Sequence, residues 1–174
     1  HIYRNEQSGR WASAFPMGVA LLLAPFYRLG AWLDTLPALR INDAHFIGIQ
    51  GVPFAYSLSI MLGINVYTLL TLWIGYRTAR HFASPWFAAL STLALYAGTP
   101  LLFYTTVEPL SSHAAGAFAA TLLLYLWLRA RASYCKPGWC KALRWLEIGL
   151  VAGLATLCRW QLALLAVPIG LALL

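Results

Sequence analysis

Residues 52–76 read VPFAYSLSIMLGINVYTLLTLWIGY, and they lie in a stretch with no formal charge between Asp43 and Arg77. As a helix, about 25 such residues reach roughly 37 Å, enough to cross a bilayer with some tilt. The remainder of the chain has the same character. Of its 174 residues, 61% are apolar and 10% are charged, whereas a soluble domain carries about 25% charged residues. A water-facing globule of this size cannot hide that much apolar surface. The eight Trp and nine Tyr add rings that settle at membrane interfaces. A soluble enzyme, a disordered tail and a disulfide-stapled secreted module are thereby excluded, and the chain reads as an integral membrane protein.

Charge placement orients the spans. Arg77 and Arg80 occupy one polar gap, and Arg129, Arg131, Lys136, Lys141 and Arg144 occupy another; together they hold seven of the twelve basic residues. Neither gap contains a carboxylate, and the apolar sequence between them is long enough for two crossings. Both gaps therefore face one side, which the positive-inside pattern makes cytoplasmic. The net charge of +7 does not imply nucleic acid, because no continuous basic face is present. Cys135 and Cys140, in CKPGWC, fall in the second gap, where a reducing compartment predicts free thiols.

Outward from residues 52–76, Ser84-Pro85 is a helix start, and Gly98-Thr99-Pro100 breaks the helix that follows. A second apolar piece, 101–107, ends at Glu108-Pro109. Ser111-Ser112 can cap a helix from about His113 to Leu128 that descends to the basic loop. A further helix rises from about Ala142 and places Arg159 near its outer end, where the chain turns or starts a new helix. The first apolar run, 15–33, carries Pro16, Pro25 and Arg28 and reads as interfacial, with a span as the alternative. The expectation is an all-α polytopic transmembrane bundle in one domain. Residues 1–50 form an outer-face segment with the interfacial helix, and 51–174 supply about four to five membrane helices. The chain starts at His1 with no signal-type leader and stops inside an apolar run, so it reads as an internal piece of a longer protein.

Ionisable groups at membrane depth are functional candidates, because each costs several kcal/mol to bury. Glu108, in TTVEPLSSH (105–113), stands five residues before His113. A carboxylate and an imidazole so placed could accept a substrate hydroxyl, share a metal or hold each other in place. Arg159 lies between Cys158 and Trp160 in an apolar run, and a guanidinium there suits a lipid phosphate. Arg4, Glu6 and Arg10 form an N-terminal polar patch, and Glu147 reads as a helical partner of Arg144. No Gly-rich phosphate loop, zinc-protease helix motif, C-x-x-C pair or nucleophile elbow is present.

The order of these features resembles a family. SGRWASAFPMGVALLLAPFYRLGAW (8–32) looks like the Pro-containing outer-interface helix of GT-C glycosyltransferases. GTPLLFYTTVEP (98–109) followed by SSHAAGAFAATLLLYLWLRAR (111–131) is similar to the third and fourth membrane helices of bacterial relatives of the dolichyl-phosphate-mannose protein mannosyltransferases. LEIGLVAGLATLCRWQLALLAVP (146–168) resembles their G-x-x-x-G-L-A-x-x-x-Arg/Lys helix. The resemblance implies a multi-pass enzyme of the bacterial inner membrane that moves a sugar from a polyprenyl-phosphate donor to an acceptor on the outer face. Its partners would be that donor and the membrane lipids, with a divalent metal as an optional cofactor. It implies a catalytic carboxylate in an outer loop before His1, Arg159 at the donor phosphate with help from Arg10, and Glu108 and His113 on the outer rim of the active cavity. Sugar and acceptor stay open, as do two rivals: a transporter or flippase subunit, with polar groups near the midplane on broken helices, and an inactive membrane scaffold.

Overall fold

The computed structural model describes residues 2–4, 11–13, 16–37, 53–109, 111–132 and 138–171. Its helices are α1 (Met17–Leu33), α2 (Phe54–Ala79), α3 (Pro85–Gly98), α4 (Pro100–Thr106), α5 (His113–Ala132), α6 (Trp139–Cys158), a 3-10 helix (Trp160–Leu165) and α7 (Ala166–Leu171). Among the described residues two helices, α2 and α5, are long and apolar enough to cross a membrane; α3 and α4 together make a third if their bent pair is one span. One departure from the all-α expectation is a small antiparallel ribbon, β1 (Ile2–Arg4) with β2 (Trp11–Ser13), in which Tyr3 faces Ala12 in register. Strands of three residues are too short to declare an alternating pattern.

The breaks fall where the sequence dictates. Ser84 takes the N-cap position and Pro85 the first turn of α3, where a missing N–H costs nothing. At Pro100 the absent N–H and the ring end α3, and α4 departs at 70°. Ser111 does not act as a cap: its buried Oγ has no hydrogen-bond partner. α6 stops at Cys158, and Arg159 adopts extended backbone before the 3-10 helix begins.

Small residues draw the helices together, since lipid offers apolar side chains no net reward for leaving it. α1 runs antiparallel to α2, with Gly30 against Tyr56 and Gly63 under the Phe26 ring. Pro25 lies inside α1, and the Tyr67 hydroxyl of α2 donates to the Leu22 carbonyl of α1 at 2.7 Å. Ala114, Ala115 and Ala119 of α5 are fully buried with Ile64 of α2 and with Ala155 and Cys158 of α6. Three buried hydroxyls of α2 are satisfied within the helix: Ser59, Thr68 and Thr71 donate to the carbonyls of Ala55, Ile64 and Tyr67, as apolar surroundings require. A second core joins Leu123, Ile148 and Ile169.

Tyr67 and Phe118 meet at 4.9 Å between ring centroids, and His81 and Tyr125 at 6.4 Å, so α2 and α5 run in the same direction. Both end at the basic gaps, as the charge pattern predicts. Ile64 shares a cluster with Ala114 and Ala115, which sets the start of α5 about 15 Å along α2 from Phe54. Among the described helices, α1 and α2 therefore rise past the first turn of α5 and the last turn of α6, leaving a step.

Cys140 is disulfide-bonded, whereas Cys158 is a buried free thiol. The free-thiol expectation is corrected at Cys140; Cys135 lies outside the described residues. That expectation came from the compartment, not the spacing. Purified chain is expected to leave Cys140 unmodified by maleimide until reductant is added, read by mass spectrometry of its peptide. Labelling before reduction would restore the free thiol.

Candidate functional site

His113 begins α5 and Arg159 ends α6, and the antiparallel packing of those helices brings them together at the base of the step. Arg159 Nη1 lies 2.9 Å from His113 Nδ1. A guanidinium has no acceptor, so Nδ1 accepts, and the imidazole is the neutral tautomer with its proton on Nε2. Among the described residues no carboxylate pairs with Arg159. The guanidinium is anchored by one neutral hydrogen bond, and its other donors remain for a ligand.

Backbone and neighbouring rings fix both partners. The Arg159 N–H donates to the Ala155 carbonyl, and the Arg159 carbonyl accepts from Leu162, both at 2.9 Å. Its stem crosses α5 at Gly116, where a Cβ would stand 3.1 Å from Arg159 Cδ. On the other side Tyr104 of α4 stacks on the His113 ring, with centroids 3.8 Å apart and planes within 7°. α4 is itself held: Tyr96 of α3 bonds Thr105 at 2.9 Å across the bend. The break between α3 and α4 and the break after α6 thus meet through Tyr104, His113 and Arg159.

Of the four site residues expected from sequence, the structure joins two. Glu108 is exposed in the turn after α4, and its charge acts on His113 through space, yet no hydrogen bond or ion pair links them among the described residues. The partner of His113 is Arg159. Arg10 lies outside the described residues. Glu147 lines a cavity of about 400 Å³ with Arg129, Cys140 and Arg144 near the basic ends of α5 and α6. Among the described residues no three His, Cys, Asp or Glu side chains converge as metal ligands.

Sequence reading missed Tyr104 and Gly116. An aromatic in FYTT and a glycine in SSHAAGA carry no signal of their own, because their roles depend on which elements cross them. No family model, curated protein or solved structure matches the chain.

Proposed function

We propose that the chain is part of a membrane glycosyltransferase in which Arg159 receives the phosphate of a polyprenyl-phosphate sugar donor. The observation that carries this reading is a guanidinium at a helix break, oriented by a neutral imidazole and left without a carboxylate among the described residues. An ion pair would neutralise the guanidinium, whereas His113 positions it and leaves its charge for an anion. The buried, unpartnered Ser111 hydroxyl two residues before His113 adds a polar group that lacks a ligand. In the reaction, a carboxylate upstream of His1 takes the proton of an acceptor hydroxyl, whose oxygen attacks the anomeric carbon with inversion. The lipid phosphate leaves with the bonding electrons, and Arg159 stabilises its charge.

In the full-length protein, Arg159→Ala is expected to abolish sugar transfer in isolated membranes while the protein still accumulates. Unchanged transfer would overturn the role. One observation favours a second reading, a transporter or flippase subunit: two interrupted helices meet at the charged site, as in proteins that bind substrates at helix breaks. In proteoliposomes that reading predicts an Arg159-dependent passage of lipid-linked sugar across the bilayer, with no glycosidic bond formed.

A further inference from the structure

At the opposite end of the helices, the last turn of α2 and the side of α5 flank an open recess of about 430 Å³. Its walls are Tyr76, Arg77, Arg80, His81 and Tyr125. Two arginines, an imidazole and two phenol rings converge there without an acid, and among the described residues neither arginine pairs with a carboxylate. The neighbouring cavity between α5 and α6 differs: there Glu147 sits among Arg129 and Arg144, so its charge is partly balanced.

The recess is also organised. Arg80 Nη1 donates to the Ala83 carbonyl at 3.0 Å, which ties its guanidinium to the turn that follows α2. Arg77 lies 5.6 Å from the Trp73 ring centre, a cation–π contact that fixes its stem. His81 faces Tyr125 at 6.4 Å and closes the recess on the α5 side. Charges that served only to orient α2 would need no cavity and no partner rings. Unbalanced guanidiniums around a pocket between membrane helices recognise phosphate oxygens by bidentate donation.

We propose that this recess binds a phosphate group, distinct from the ligand of Arg159. The charge pattern puts this end of the helices at a membrane surface, where the phosphate comes from an anionic phospholipid headgroup or from soluble phosphate. The full chain, purified and exchanged into nanodiscs of phosphatidylcholine with or without phosphatidylglycerol, distinguishes them by native mass spectrometry of retained lipid. Retained phosphatidylglycerol in preference to phosphatidylcholine identifies the headgroup. Inorganic phosphate that binds while phosphatidylglycerol is not retained identifies the soluble source.

A guanidinium that contacts the bound phosphate contributes enough that Arg77→Gln is expected to weaken retention about fivefold, and Arg77→Gln with Arg80→Gln about thirty-fold. The single variant keeps the test decisive if the double one fails to fold. Arg131→Gln, which removes an exposed charge at the same end, near Trp127, is expected to leave retention unchanged. Equal retention of both lipids without phosphate binding would overturn the site. So would wild-type retention by the Arg77 variant, or an equal loss with Arg131→Gln.

Discussion

Replacing Gly18 by alanine is expected to lower the melting temperature of the chain in nanodiscs by up to about 12 °C. At that position α1 and α6 touch backbone to backbone. A Cβ would stand 2.5 Å from the Cys158 nitrogen and 2.6 Å from the Leu157 carbonyl carbon. No rotamer change relieves a clash with backbone, so α1 must withdraw, and Val19 and Leu23 leave the cluster they share with Ile64 and Ala155. Overpacking of this kind costs up to about 3 kcal/mol, and each kcal/mol shifts the melting point of a chain this long by about 2–4 °C. Gly149→Ala is the control. A Cβ there meets nothing within 4 Å, and helix propensity favours alanine by about 0.5–1 kcal/mol. A melting point unchanged by Gly18→Ala would mean that α1 does not dock on α6.

That contact also shows what the sequence could and could not announce. The helices of the bundle and their breaks are local events, written in Ser84-Pro85, in Gly98-Thr99-Pro100 and in the run from 52 to 76, and they fold where those residues require. Gly18 is different. In the run from 15 to 33 it is one small residue among many, and its partner at Cys158 is some 140 positions away. The prolines and Arg28 that made this run read as interfacial do not keep it from the core: α1 packs on α2 and α6. The pairing of Glu108 with His113 was drawn from closeness along the chain. The turn after α4 leaves Glu108 exposed, while helix packing carries Arg159 across to the imidazole. In the same way Arg77 and Arg80 read as topology markers, because nothing in the sequence puts Tyr125 beside them.

Arg159→Gln separates charge from structure at the candidate site. Glutamine keeps the stem that crosses Gly116 as far as Cδ and loses the hydrogen bond to His113 Nδ1, so the melting point is expected to shift by less than about 4 °C, the equivalent of one neutral hydrogen bond. Binding of a short-chain polyprenyl phosphate is expected to fall about a hundredfold. That factor corresponds to about 3 kcal/mol, the contribution of two charge-assisted hydrogen bonds from guanidinium to phosphate. Arg159→Lys restores the charge but not the fork, and one point contact recovers about tenfold of the loss. Isothermal titration in nanodiscs reads all three proteins. If Arg159 merely closes α6, the lipid phosphate binds each variant equally, and only the melting point responds. A guanidinium held by a neutral ring, with no acid beside it among the described residues, keeps an unbalanced charge, and in the proposed reading the lipid phosphate is the anion that balances it.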